Sequence, residues 1–220
     1  MKEQEIGAAL RQVRRIQSLL GERSTFRGYS GTARLIGAAA ALIGGSVLAI
    51  GPVPSTPVAH LAGWAAVLAV ALTVNYAGLL AWFLFHPEAD RSIPKLTPAV
   101  DAVPALGVGA VMSVAAVVHG TFDLLFGIWM TCYGLAHMPY RKSLPGANYV
   151  VGVFYLVAGT ACLLYSPDFT NPWPMGLVFF AGETAGGLVL RDVNRPPRTA
   201  TPPTAKEDKE SPNDSTNDSL

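Results

Sequence analysis

Residues 61–85 read LAGWAAVLAVALTVNYAGLLAWFLF and contain no Asp, Glu, Lys or Arg over 25 positions. A bilayer core of about 30 Å is crossed by about 20 apolar residues in helical conformation. The apolar run is continuous rather than alternating with period two, which is typical of a helix and not of a barrel strand. This stretch therefore predicts a membrane-spanning helix.

Charged residues are concentrated at the two ends of the chain. The 220 residues include 16 Lys and Arg and 15 Asp and Glu, but only ten of these fall within residues 35–190. A water-soluble domain distributes charge over its whole surface. The charge-poor middle therefore argues against a soluble protein and predicts an all-α, polytopic membrane protein.

Six segments are long and apolar enough to be predicted as transmembrane helices. Turns rich in Gly and Pro separate them. Their predicted bounds are residues 33–50, 61–85, 100–118, 122–138, 147–165 and 174–190. Together they form a predicted six-helix bundle over residues 33–190.

The distribution of Lys and Arg predicts the orientation of this bundle. Short loops that carry Lys and Arg stay on the cytoplasmic side of a membrane. With six spans, all 16 of these residues lie on one side, and the first, third and fifth loops contain none. We therefore expect both termini in the cytoplasm and the chain in the cytoplasmic (inner) membrane.

The two ends of the chain are predicted to differ from the bundle and from each other. Within residues 1–32, Ile6, Leu10 and Val13 share one face of a predicted amphipathic helix. Such a helix either lies on the inner leaflet or packs on the cytoplasmic surface of the bundle. Residues 191–220 are rich in Pro, Ser, Asp and Asn, which predicts a disordered cytoplasmic tail.

Glu183 is the strongest candidate for a functional residue. It lies about midway along the predicted sixth span, where an ionisable group is costly unless it is neutralised, paired or hydrated. Gly186 and Gly187 follow it at three and four residues, on the same helix face. Because small residues let another helix approach closely, we expect the carboxyl to point into the bundle.

Several polar residues in other spans could meet this carboxyl. Asn75 has a similar predicted depth and is the first candidate partner, and Thr131, Tyr133 and Thr160 are further ones. In one interpretation, Glu183, Asn75, Thr131 and Tyr133 form a ligand or proton site. In the other, a protonated Glu183 holds helices together and binds nothing.

His119 and Asp123 are weak candidates for metal ligands. They stand four residues apart across the third outer turn, but Gly120 interrupts the helix between them and no third ligand is evident. Capping is the simpler interpretation, with Thr121 as an N-cap and Asp123 in the first helical turn. We therefore expect no bound metal.

The four histidines form two pairs by predicted depth, His60 with His119 and His86 with His137. Two stacked haems with two histidine ligands each would need that arrangement. However, all four lie close to helix ends, where water would reach a haem. We therefore expect no cofactor.

Parts of the sequence resemble a group of small bacterial multi-pass membrane proteins of uncharacterised function. The resemblance rests on residues 127–136 (GIWMTCYGLA), on residues 151–160 (VGVFYLVAGT) and on the passage from Arg14 to Gly37. It implies a six-helix bundle and supplies no catalytic or binding residue. In that group the sixth span tends to carry a histidine near the position of Glu183, which implies an ionisable group there.

Three classes of function remain open at the level of sequence. A non-enzymatic scaffold or partner subunit is favoured, because no catalytic motif occurs. A small permease or channel with a midplane site at Glu183 and Asn75 is the alternative, although the two halves of the bundle show no internal repeat. A haem or quinone redox protein is the third. The expected partners are the lipid bilayer and a second copy or another membrane subunit, and no nucleic acid.

Overall fold

The structure is a computed structural model that describes residues 30–85, 100–139 and 146–193, together with Gln12. The predicted amphipathic helix within residues 1–32 lies outside the described residues, apart from Gln12 and residues 30–32. The same holds for residues 86–99 and 140–145 and for the predicted disordered tail beyond residue 193.

The described residues form six α-helices and no strand, which confirms the all-α prediction. The helices are α1 (Gly31–Ile50), α2 (Pro57–Phe85), α3 (Val103–Val118), α4 (Leu125–Ala136), α5 (Gly146–Tyr165) and α6 (Trp173–Val193). A single 3-10 turn, Phe122–Leu124, precedes α4. Ser30 begins α1 as its N-cap, because its hydroxyl accepts a hydrogen bond from the amide of Ala33 at 3.3 Å.

Four of the helices are long and apolar enough to cross a membrane, namely α1, α2, α5 and α6. The other two are shorter apolar helices, since α3 has 16 residues and α4 has 12. The fourth helix ends at Ala136, two residues before its predicted end, and α6 continues to Val193, past its predicted end at residue 190. The four long helices have the length and composition of membrane-spanning helices.

Each helix packs against the next in the order α3, α4, α5, α6, α1, α2. The most extensive contact joins α1 to α6, which run antiparallel. Glycines make this contact close: a Cβ on Gly45 would lie 3.5 Å from the Cα of Gly176, and one on Gly187 would lie 2.8 Å from the carbonyl oxygen of Gly31. The first and last of the described helices are therefore in backbone contact.

Apolar side chains are exposed along the outside of the bundle as well as buried inside it. Leu68, Leu72 and Leu80 on α2 and Val111 and Val114 on α3 are exposed. Exposed apolar surface of this extent marks contact with lipid or with a membrane partner. Inside, Phe126 and Phe169 are fully buried and belong to the larger of the two hydrophobic clusters.

Candidate functional site

Glu183 forms a buried ion pair with Arg34 of α1. Arg34 donates from Nε to Oε2 of Glu183 and from Nη2 to Oε1, both at 2.9 Å. The guanidinium and the carboxyl therefore meet through two parallel hydrogen bonds, the strongest geometry for this pair. Arg34 is 5% exposed and Glu183 is 4% exposed. Neither charge faces solvent or lipid.

Two tyrosine hydroxyls complete the surroundings of the carboxyl. Tyr133 on α4 donates to Oε1 at 2.9 Å, and Tyr155 on α5 donates to the same oxygen at 3.0 Å. The carboxyl thus accepts four hydrogen bonds from Arg34 and the tyrosines, and a guanidinium has no acceptor to offer in return. This arrangement fits an ionised Glu183 rather than the protonated one considered from the sequence.

Arg34 also donates to two side chains at the ends of other helices. Its Nη1 donates to Oδ1 of Asn148 on α5 at 2.7 Å, and its Nη2 lies 3.1 Å from Nε2 of His137, the C-cap of α4. His137 Nδ1 lies 2.8 Å from the carbonyl oxygen of Tyr133, which can only accept. His137 therefore carries its proton on Nδ1, and Nε2 accepts from Arg34.

These side chains are called the Arg34 cluster below. Its members come from four helices, α1, α4 with its C-cap, α5 and α6. They are Arg34, Tyr133, His137, Asn148, Tyr155 and Glu183.

Two glycines of α6 make room for this cluster. A Cβ on Gly186 would overlap the guanidinium of Arg34, and a Cβ on Gly182 would overlap the ring of Tyr155. Gly182 lies one residue before Glu183 and Gly186 lies three residues after it. The partners of the Glu183 carboxyl therefore pack directly against the α6 backbone beside it. On the small-residue face predicted around Glu183, Gly186 thus lies against the side chain of Arg34, and Gly187 lies against the backbone of Gly31.

The structure brings together two of the four residues predicted for a ligand or proton site, Glu183 and Tyr133. Asn75 instead donates to the carbonyl oxygen of Ala71 in its own helix at 2.9 Å. The partner of Glu183 is Arg34 instead. The buried hydroxyl of Thr131 has no hydrogen-bond partner among the described residues.

Four members of the cluster were missed by the sequence reasoning. Arg34 is one of the 16 Lys and Arg that the charge distribution places on the cytoplasmic side, although it is the second residue of the predicted first span. A lone Arg in one apolar run and a lone Glu in another was a signal for an ion pair. Asn148, Tyr155 and His137 carried no comparable signal, because such residues are common near helix ends and in spans.

Asp123 and His119 have separate roles in the turn between α3 and α4. Asp123 Oδ1 accepts a hydrogen bond from the amide of Phe169 at 2.8 Å, and His119 is the C-cap of α3. Thr121 does not cap the next helix through its side chain, contrary to expectation. Its hydroxyl lies 3.3 Å from the carbonyl oxygen of Ala116. Among the described residues, no three His, Cys, Asp or Glu side chains are placed to hold a metal ion.

Comparison with known proteins gave no match: no family model fits the chain, and no curated protein or solved structure is significantly similar to it. The resemblance to small bacterial membrane proteins therefore stays a prediction, and the functional argument rests on the geometry of the Arg34 cluster.

Proposed function

We propose that this chain is a multi-pass protein of the bacterial cytoplasmic membrane and acts there as a non-enzymatic scaffold or partner subunit. In this proposal the six helices are six spans and both termini are cytoplasmic. In this proposal, the ion pair and the hydrogen bonds of the Arg34 cluster hold four of these helices in one arrangement.

The observation that carries the proposal is the closed hydrogen bonding of Glu183. A proton or solute site has to exchange its ligand, so water must reach it in some state. Glu183 is 4% exposed, and its oxygens are already occupied by a guanidinium and two hydroxyls. A buried pair with all its partners in place supports a structural role.

The position of the cluster supports the six-span topology. Arg34 is the fourth residue of α1, Asn148 is the third of α5, and His137 directly follows α4. In a six-span chain with a cytoplasmic N-terminus, all three of these helix ends lie on the inner side. Their meeting around one guanidinium agrees with that alternation.

The exposed apolar faces of α2 and α3 support a role that depends on contacts within the membrane. These two helices lie at the ends of the packing order, and each contacts one main neighbour. Lipid or another membrane subunit would cover their remaining surface.

The test distinguishes a structural role of the Arg34 cluster from a role as a transport site. We expect a neutral double variant, Arg34→Gln/Glu183→Gln, to accumulate in membranes and to keep the complexes that the wild-type chain forms after mild detergent extraction. Purified wild-type chain in proteoliposomes should show no proton flux above that of empty vesicles. A proton flux that is present in the wild type and lost in the folded double variant would favour the permease alternative.

A further inference from the structure

A second group of buried polar atoms lies at the other end of the bundle, away from the Arg34 cluster. His60 is 1% exposed and Trp64 is 3% exposed. Among the described residues, neither His60 Nδ1 nor Trp64 Nε1 has a hydrogen-bond partner. The two residues stand four apart on α2, so they share one helix face. Burying a polar group without a hydrogen-bond partner costs free energy of folding. We therefore expect both nitrogens to bind a ligand.

The loop between α5 and α6, residues 166–172, lies beside these two residues. A Cβ on Gly45 would lie 3.7 Å from Cη2 of Trp64 and 3.8 Å from the carbonyl oxygen of Pro172, which places the indole next to this loop. The ring of Trp64 also packs edge-on against Phe126, with the ring centroids 6.0 Å apart.

Phe169 of the same loop is inserted into the bundle. It is 0% exposed, and its ring centroid lies 4.9 Å from that of Phe126 and 5.9 Å from that of Trp129. The hydrogen bond from its amide to Asp123 Oδ1 ties the loop to the turn before α4. The loop thus covers the aromatic cluster, and this hydrogen bond joins it to the turn before α4.

The carboxyl of Asp168, which belongs to this loop, is close enough to His60 to be influenced by it. Hydrogen bonds from the amide and the hydroxyl of Thr170 lower the pKa of the Asp168 carboxyl, and the nearby imidazole of His60 adds to this lowering. Asp168 is therefore a carboxylate on the loop side of His60.

We propose that the loop of residues 166–172 is a lid over a small polar site, where Trp64 Nε1 and His60 Nδ1 hold one neutral oxygen ligand of the size of water. The indole N–H can only donate, so the ligand must offer an acceptor. A cation would not satisfy that donor, and the carboxylate of Asp168 disfavours an anion. Water meets these requirements, and buried water commonly satisfies such groups.

The experiment uses the full chain in phospholipid nanodiscs, with ¹⁵N-labelled tryptophan. We expect the Trp64 indole N–H to show magnetisation transfer from water and slow exchange with D₂O. Asp123→Ala should speed that exchange by about tenfold, because the lid loses a hydrogen bond to a charged acceptor. Asp123→Asn is the matched control, since its side-chain oxygen still accepts from Phe169. The Trp129 indole, which donates to Ser113 Oγ at 2.8 Å, is the internal reference.

Two results would overturn the proposal. A Trp64 indole without any transfer from water means that the site is empty. Equal Trp64 exchange rates in Asp123→Ala and wild type mean that the loop is not its lid. Should Asp123→Ala fail to fold, His60→Phe in the same nanodiscs decides the matter, because the transfer from water to Trp64 should be lost with the second partner. These signals do not depend on the scaffold role, so they can fail without affecting it.

Discussion

Arg34 and Glu183 are each unfavourable in a membrane interior, and each is stabilised by the other. A charge in hydrocarbon is tolerated when it is paired and when its remaining hydrogen-bonding groups are satisfied. The two tyrosines, Asn148 and His137 provide that satisfaction for this pair. The free energy of the cluster therefore depends on all six side chains together.

The first prediction concerns the loss of one charge of this pair. Either Arg34→Gln or Glu183→Gln alone should lower the free energy of unfolding by about 3 to 5 kcal/mol, because the other charge stays buried without its partner. The double variant should lose much less than the sum of the single losses. Thermal melting of the purified variants in one detergent measures all three.

The same experiment distinguishes Arg34 from Asn75 as the partner. If Asn75 were the main partner of Glu183, the change Glu183→Gln would be mild, because an amide can replace a protonated carboxyl in such a hydrogen bond. Asn75→Ala serves as the control and should melt close to wild type, since its side chain only donates within its own helix. Additive losses from the two single charge variants would contradict the ion pair.

The second prediction concerns the hydroxyl of Tyr155. Tyr155→Phe removes one hydrogen bond to Oε1 and keeps the buried ring in place. We expect a loss of about 0.6 kcal/mol and at most about 1.7 kcal/mol, the average and the maximum from double-mutant cycles on hydrogen bonds between membrane helices. In the background of the double variant, the same change should cost less. An equal cost in both backgrounds, measured by melting, would mean that the hydroxyl acts independently of the pair.

The third prediction concerns Asp168 and pH. Its pKa is lower in the folded chain than its ordinary value, mainly because Thr170 donates two hydrogen bonds to it. Its contribution to loop order is therefore complete above the ordinary aspartate range and is lost as the pH falls through the lowered pKa. Protection of the Thr170 amide against hydrogen exchange, corrected for the intrinsic rate, should fall at acid pH. Asp168→Ala should lack both the protection and its pH dependence.

At the scale of elements, the contact between α1 and α6 is set by glycines rather than by large apolar side chains. The fourth prediction compares two glycines in helices. Gly187→Ala should lower the free energy of unfolding by about 1 to 3 kcal/mol, because the new Cβ would press on the carbonyl oxygen of Gly31.

The matched control for this change is Gly107→Ala on α3. A Cβ on Gly107 would meet no atom of the described residues within 4 Å. Alanine also has the higher helix propensity, so the variant should be as stable as wild type or slightly more stable. Equal losses in the two variants would show that the α1–α6 contact is looser than described here.

Helices were easier to predict from the sequence than the contacts between them. Residues 61–85 carry no charge and are mostly apolar, so the second helix was expected, and the helix does extend from Pro57 to Phe85. The ends of α3 and α4 could not be predicted to the residue. The reason is that the 3-10 turn and the loop residues beside these helices are as apolar as the helices themselves.

At the scale of the whole molecule, the fifth prediction is the topology. Reporters fused before Met1 and after Leu220 should be cytoplasmic. A reporter inserted between α1 and α2, within residues 51–56, should be exported. The reason is that all 16 Lys and Arg would otherwise have to be divided between the two sides. An exported C-terminal reporter would contradict the six-span arrangement.

The candidate site could be predicted only in part, for a reason that also operates at this scale. The depth of Glu183 follows from its position in an apolar run, and Tyr133 was among its possible partners. Which helix faces which is decided by packing over the whole bundle, and the chain carries no local signal for it. Arg34 lies 149 residues away from Glu183 in the sequence, so no spacing rule connects them.

The separation of Arg34 from Glu183 in the sequence has a consequence for the synthesis of the protein. At about 5 to 20 residues per second, a ribosome needs roughly 7 to 30 seconds to proceed from Arg34 to Glu183. During that interval the nascent α1 carries a guanidinium without its counterion. The translocon or the lipid headgroups must shelter this charge until the last helix arrives. Chains released before α6 is made would keep the unpaired arginine, which offers membrane proteases a means of recognising unfinished molecules.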